Sequence, residues 1–237
     1  MRFVLDDLPE TLDGTYERVL RVINKANREH AHRLLQCLTV AVRPLRVEKL
    51  AEVLVVDFDA ARREGIPSCE LNPNWRWTNR HQAVLSTCSG LITIVDGGDS
   101  QVVQFSHFSV KEFLTSDRLA HSSGDVSPYH ILLEPAHTIL AQACMGVLLR
   151  LDDSVNSSNA QDIPLAVYTS QHWVDHARFK KVSPCIQVAM ELFFDVDKPS
   201  MRQCTCVLRV EISEARGVNG TKYMVTTFWP TRVLVCG

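Results

Sequence analysis

The chain lacks long apolar runs, a strong net charge and a glycine-rich phosphate loop. No apolar run reaches the roughly 18 residues that a membrane-spanning helix needs. Its 25 lysines and arginines against 27 acidic residues give a net charge of −2, which draws the chain neither to nucleic acid nor to anionic lipid. The initial segment MRFVLDDLPE has no signal-peptide hydrophobic region, so we expect a cytoplasmic protein without membrane contact.

The cysteines are numerous but scattered. All eight lie outside Cys-x-x-Cys pairs, which argues against a disulfide framework in a chain without a secretory segment. Cys37, Cys88 and Cys144 lie in apolar stretches, where a buried thiol behaves as a small hydrophobic side chain. Apolar residues make up 46% of the chain and charged residues 22%, so the composition excludes wholesale disorder.

Apolar side chains recur at helical spacing through the first part of the chain, and two β-branched runs follow. The helical period predicts helices over 8–24, 29–42, 46–55 and 80–89, with an irregular loop over 57–79. Two β-branched runs, LITIV (91–95) and QVVQF (101–105), flank the turn-forming DGGDS and predict a β-hairpin. Ser109 and Glu112 have the spacing of a capping box that begins the next helix. Helices followed by a hairpin are the element order of a winged helix.

Helical periodicity returns after the polar stretch 121–127. Pro135, Pro164 and Pro184 each stand at the first turn of a predicted helix, where a missing N–H costs nothing. The fold class is therefore mainly α with a small β-hairpin: a winged helix, then an α-helical unit, then an irregular or β-tending C-terminal tail. The predicted units are a helical lead-in at 1–28, the winged helix at 29–120, a helical linker unit at 128–196 and an atypical tail at 199–237.

Several blocks, in the same order, resemble fungal NACHT-type STAND NTPases, which are relatives of the NOD-like receptors. Three of them are similar to the winged helix that follows the nucleotide-binding core in that family, a domain also found in proteins labelled GPI inositol-deacylase: LPETLDGTYERVL (8–20), HAHRLLQCLTVAVRPLRVEKLAEVL (30–54) and VVQFSHFSVKEFL (102–114). Two more resemble the helical linker that comes next, often ahead of ankyrin-type repeats: LLEPAHTILAQACMGVLLRL (132–151) and YTSQHWVDHARF (168–179).

The sequence also departs from that family. It contains neither the GxxxxGK[ST] phosphate loop nor an acidic Walker B strand, so the ATPase half is absent from it. The stretch 199–237 does not continue as the family does and shows no ankyrin pattern. We expect this tail to come from a truncated or mis-spliced gene model, or to be a lineage-specific end.

The resemblance gives His107 a role. In related receptors a histidine in an F-x-H-x-[ST]-x-x-E-F context contacts the β-phosphate of bound ADP and holds the resting state closed; the matching residues here are Phe105, His107, Ser109, Glu112 and Phe113. The residues alone place His107 just before a helix start, where N–H groups and the helix dipole favour an anion, and a protonated imidazole would strengthen that contact. The alternative is a structural histidine that bonds to the hairpin backbone. Because the other phosphate ligands belong to the missing core, the implied contact is ancestral, and we expect no cofactor on this chain alone.

The remaining polar side chains indicate no chemistry. His172 and His176 share a helical face at a zinc-binding spacing, but with no third ligand and with Asp175 expected on another face, we interpret them as a solvated or linker-packing surface. His30 and His32 are expected on a polar helix surface. Without a Gly-x-Ser-x-Gly elbow or another catalytic set, the sequence predicts neither an enzyme nor a metal site.

The favoured hypothesis is a non-catalytic regulatory and interaction module that packs against a NACHT nucleotide-binding core and biases a closed–open equilibrium. A DNA-binding winged helix is one alternative, but its recognition helix, 80–89, offers only Arg80, His81 and Gln82 as polar readers. Another is an adaptor or decoy that pairs with full-length NACHT proteins. We therefore expect protein partners rather than nucleic acid.

Overall fold

A computed structural model of the chain describes residues 12–53, 56–57, 70–71, 84–85, 88, 90–96, 101–122, 124–155, 163, 165–205 and 207. Its helices are α1 (Leu12–Val22), α2 (Arg28–Val40), α3 (Val47–Val53), α4 (Phe108–Leu114), α5 (Asp117–Ala120), α6 (Leu133–Leu148), α7 (Ala166–Ala177) and α8 (Gln187–Phe193). Its strands are β1 (Leu45–Arg46), β2 (Val56–Asp57), β3 (Glu70–Leu71), β4 (Ile92–Asp96) and β5 (Gln101–Phe105). Short 3₁₀ turns cover Lys25–Asn27, Ser127–Tyr129 and Ser183–Ile186, and residues 200–205 are helical. The predicted class, mainly α with a small antiparallel sheet, is confirmed.

The first half of the chain forms the winged helix. The sheet has the strand order β1-β5-β4, and β4 and β5 are the predicted hairpin, shifted by one residue in β4. Its antiparallel register pairs Ile92 with Phe105 and Asp96 with Gln101. Val103 and Phe105, which lie on one face of the sheet, contact the core, whereas Gln104 on the other face is exposed.

Two short strand pairs correct the predicted elements. β1 stands where helix 46–55 was expected to begin, and its Leu45 pairs with Val103 of β5. β2 pairs with β3, so Glu70 and Leu71 form a strand inside the stretch predicted to be a loop. A two-residue strand is too short to show a period in the sequence. Its hydrogen bonds are made with partners that are distant in the chain, so local patterns do not predict it. The start of the tail predicted to be irregular or β-tending is instead helical at 200–205 and at 207. The polar readers Arg80, His81 and Gln82 and the tail from 208 onward lie outside the described residues.

The second half of the chain is helical, as predicted. α6 lies between α2 and α7 and contacts both of them. Pro135 stands in its first turn, whereas Pro184 stands in the 3₁₀ turn before α8, and Pro164 lies outside the described residues. None of the helices in the described ranges combines the length and the apolarity needed to cross a membrane.

The buried apolar side chains form one continuous core. It extends from Leu20 in α1 to Phe193 in α8, so the winged helix and the helical unit are packed against each other. The predicted borders at 28, 120 and 128 stay predictions. Cys37, Cys88 and Cys144 are buried in this core, as expected, and burial raises the pKa of the Cys37 thiol to about 12.

Removing a core side chain from α2 should weaken the whole fold. Leu34 is fully buried, so Leu34→Ala leaves a cavity and should lower the free energy of unfolding by about 2–5 kcal/mol. Val22 is 80% exposed, and Val22→Ala should change the free energy of unfolding by less than about 0.5 kcal/mol. Urea unfolding followed by circular dichroism measures both, and similar losses in the two variants would contradict the burial of α2.

Candidate functional site

His107 is the N-terminal cap of α4. It stands directly after β5 in extended backbone conformation, with φ −150° and ψ 150°, and its carbonyl accepts the Val110 N–H at 3.1 Å. Its ring Nδ1 accepts the backbone N–H of Ser109 at 3.3 Å. The imidazole nitrogen therefore does what a serine or aspartate oxygen does at most helix starts.

The predicted capping box is wrong in its register. Ser109 is the second residue of α4 rather than its cap. Its hydroxyl oxygen lies 2.7 Å from His107 Nδ1 and 2.7 Å from the Tyr16 hydroxyl. Glu112 is exposed, and its backbone oxygen accepts the Thr115 hydroxyl. The S-x-x-E spacing cannot reveal that the residue two positions earlier already caps the helix.

These contacts fix where the His107 proton lies. One assignment uses every donor: Tyr16 O–H donates to Ser109 Oγ, and Ser109 O–H and N–H both donate to His107 Nδ1. Nδ1 then carries no proton, so the neutral ring carries its proton on Nε2. The His107 side chain is exposed, which makes Nε2–H a donor that another molecule can reach.

The sequence analysis expected free N–H groups at the start of α4 to attract an anion to His107, and the structure corrects this expectation. α4 has seven residues, and the N–H groups of Ser109 and Val110 are already occupied by His107. A proton added to Nδ1 would remove the lone pair that caps the helix, so the cap and an imidazolium exclude each other. What remains for a ligand is the Nε2–H donor. The structural alternative is also revised, since the ring bonds to the helix backbone rather than to the hairpin.

The other residues of the motif divide between the core and the surface. Phe113 is buried, and its ring centroid lies 5.5 Å from that of Tyr16. Phe105 ends β5 and packs against the core. Phe108, which the sequence analysis did not single out, is 72% exposed, and its ring centroid lies 4.2 Å from that of His107. An exposed histidine–phenylalanine pair therefore stands at the start of α4.

Side chains of α1 contact α4 and α5 next to His107. Tyr16 packs on Phe113 and bonds to Ser109, and Asp13 forms an ion pair with Arg118 at the start of α5. α1 and α4 are in contact. The orientation of His107 thus depends on a helix that precedes it by about ninety residues, since Tyr16 and Ser109 are separated by 93 positions.

A second polar cluster, absent from the sequence predictions, joins α6 and α7. His176 is fully buried, and its Nδ1 lies 3.0 Å from Nδ1 of His137. His172 bonds to Asp175 at 3.0 Å, so these two residues share a face, contrary to the prediction. The described residues contain no group of three or more ligands suited to a metal ion. Linker packing, one of the two readings offered by the sequence, describes His176.

His32 also differs from its expected place on a polar surface. Its ring stands edge-on to the buried Tyr129 with a centroid distance of 6.3 Å. Burial lowers the pKa of His32 and so favours the neutral imidazole. The residue is part of the packing between α2 and the 3₁₀ turn at Ser127–Tyr129.

Comparison with known proteins agrees with the observed fold. Residues 16–124 match the family described as GPI inositol-deacylase, winged helix domain. A curated relative, "Azaphilone pigments biosynthesis cluster protein L" of Monascus ruber, is 31% identical over 182 residues, which are 73% of this chain and 36% of the relative. The chain thus spans about a third of the length of that relative. No solved structure matches the chain.

The capping role of His107 can be measured without any ligand. His107→Ala removes the acceptor for the Ser109 N–H and should lower the free energy of unfolding by about 1 kcal/mol. His107→Ser keeps a capping oxygen and should stay within a few tenths of a kcal/mol of the original chain. Urea unfolding compares the three proteins, and an alanine variant as stable as the serine variant would contradict the cap.

Proposed function

We propose that the chain is a non-catalytic regulatory module of the NACHT-type signalling NTPases, made of their winged helix and helical linker. It packs against a nucleotide-binding core on another polypeptide or another segment and favours the closed state of that core. It performs no chemistry itself, holds no cofactor alone and acts in the cytoplasm. Its partner is a protein rather than a nucleic acid or a membrane.

The observation that carries this proposal is the geometry of His107. Its Nδ1 is engaged by Ser109, which leaves Nε2–H as a donor on an exposed side chain. A hydrogen bond to a charged acceptor such as a phosphate oxygen is stronger than one to a neutral acceptor. In the related receptors this position meets the β-phosphate of ADP, so the oriented donor suits a nucleotide that a core presents.

The exposed ring of Phe108, next to His107, supports the proposal that a partner protein covers this surface. Phe108 is 72% exposed although it stands next to a polar, oriented side chain. Large aromatic side chains are enriched at protein interfaces, where they supply much of the binding free energy. Phe108 would lie against the core while His107 reaches the phosphate. The winged-helix family match over 16–124 supports the same type of module.

Binding to an isolated nucleotide-binding core tests the proposal. The probe is the core of a NACHT-type NTPase from the same genome, purified with ADP bound and titrated with this chain by calorimetry. We expect ADP-dependent binding that His107→Ser weakens about tenfold or more, because that variant keeps the cap but loses the donor to a charged acceptor. His121→Ser, which changes another exposed histidine within the matched residues 16–124, should leave the affinity unchanged.

Two outcomes contradict the proposal. Equal affinity of the original chain and His107→Ser would remove the phosphate contact. A large rise in the melting temperature of the chain alone on adding ADP would place the whole nucleotide site on this polypeptide, against a module that depends on a separate core.

A further inference from the structure

A line of hydrogen bonds joins the corner after α2 to the two long helices of the helical unit. The Val42 backbone N–H donates to the Tyr168 hydroxyl oxygen at 3.3 Å. That hydroxyl lies 2.8 Å from Nε2 of His176, and Nδ1 of His176 lies 3.0 Å from Nδ1 of His137. We call these four groups the histidine latch. It begins in the predicted winged helix, crosses α7 and ends on α6.

The latch accommodates neutral imidazoles. In the arrangement that uses every donor, Tyr168 O–H donates to His176 Nε2, and His176 Nδ1–H donates to His137 Nδ1. A proton added to His176 turns Nε2 into a donor to the Tyr168 oxygen, which can accept it together with the Val42 N–H, but the Tyr168 O–H then loses its acceptor. A proton added to His137 sets two N–H groups against each other, unless His176 reverses and disturbs Tyr168 in the same way.

The surroundings do not compensate for such a charge. Tyr168 and His176 are both fully buried. The single carboxylate that favours a charged His176 is Asp175, which is exposed and bonded to His172. Among the described residues, the charged and titratable groups around the latch include Lys111 of α4, Arg43 over the Tyr168 ring, His172 and Asp175 of α7, and the thiols of Cys37 and Cys144. Glu134, three positions before His137 in α6, forms an ion pair with Lys181.

Positive groups outweigh the acid near the two rings. Burial first, and then His137, lower the pKa of His176 to about 4. Burial, and then Lys111, also lower the pKa of His137. Exposed imidazoles titrate near pH 6.5, so a state in which the latch is open binds more protons between about pH 6.5 and pH 4 than the closed state does. Acid therefore favours the open state in that range and has no such effect above it.

We propose that the histidine latch is a proton-sensitive connection between the helical unit and the corner at Val42 and Arg43. With both imidazoles neutral, α7 is held against that corner through Tyr168. Proton uptake by the histidine pair leaves the Tyr168 O–H without its acceptor and puts a charge into a buried site, which frees α7. α1 and α4 keep their packing, since the group that α4 presents to the latch is the exposed Lys111. Acidification of the surroundings would thereby loosen the helical unit from the winged helix without unfolding the latter. The inference does not depend on the proposed function.

Hydrogen exchange at two pH values tests the latch in the unmodified chain. Amide protection factors, corrected for the intrinsic exchange rate, are measured by mass spectrometry at about pH 7.5 and at about pH 5. We expect the protection of α7 to fall roughly tenfold or more at the lower pH, because opening is coupled to proton uptake. The protection of α4 should change little. An equal loss in α4 and α7 would mean acid unfolding of the whole chain and would overturn the latch, as would unchanged protection of α7.

Variants separate the latch from its neighbours. His176→Gln keeps a hydrogen-bonding side chain that does not titrate, so the protection of α7 should become independent of pH. His121→Gln, which changes an exposed histidine at the end of α5 outside the latch, should keep the pH dependence of the original chain. If His176→Gln fails to fold, nuclear magnetic resonance of the imidazoles in the original chain provides the test. We expect His137 and His176 to titrate as a pair and the α7 amide signals to be lost at the same time. Titration of both rings at ordinary values with α7 unchanged would overturn the proposal.

Discussion

The orientation of His107 rests on the hydrogen bonds that run from Tyr16 through Ser109 to its Nδ1. Each bond in this chain lies within 3.3 Å, and together they consume the acceptor side of the imidazole. A histidine on a loop samples many directions, but one whose Nδ1 caps a helix presents Nε2–H in one direction. These hydrogen bonds therefore make the helix-capping His107 an oriented donor. The proposed contact with a nucleotide depends on that orientation.

This constraint also explains why α1 is part of the site. Tyr16 reaches Ser109 because its ring packs on Phe113, and the ion pair between Asp13 and Arg118 holds the first turn of α1 near α5. In the proposed function, α1 leads from the core into the winged helix. A movement of α1 would be felt at His107 through Tyr16, which gives a physical path between the position of the core and the direction of the donor.

The helical unit is joined to the winged helix by both apolar and polar contacts. α2 and α6 share the continuous core, which is strong but not directional. The Tyr168–His176 pair adds a buried polar connection of 2.8 Å. Buried polar groups contribute specificity at the risk of a large cost when one bond is lost. In the proposed latch, the junction of the two units is the place where the protonation state changes the packing.

The sequence predicts what depends on local periodicity and little of what depends on distant partners. The apolar face of α6, the hairpin and the burial of Cys37, Cys88 and Cys144 follow from spacing or composition, and the structure confirms them. The sequence does not predict β1, because its Leu45 pairs with the distant Val103. It does not predict the cap of α4 either, because a ring nitrogen of His107 takes the place of the expected serine oxygen. His137 and His176 are 39 positions apart, and no local pattern brings them together. The predicted role of His107 came from resemblance, while the direction of its donor came from the structure.

The most direct test of this account is the tautomer of His107, read from long-range ¹H–¹⁵N nuclear magnetic resonance spectra of the imidazole in mildly alkaline solution. We expect a single tautomer with the proton on Nε2 and an unprotonated, hydrogen-bonded Nδ1. A ring protonated on Nδ1, or one that averages between the two tautomers as a free histidine does, would contradict it.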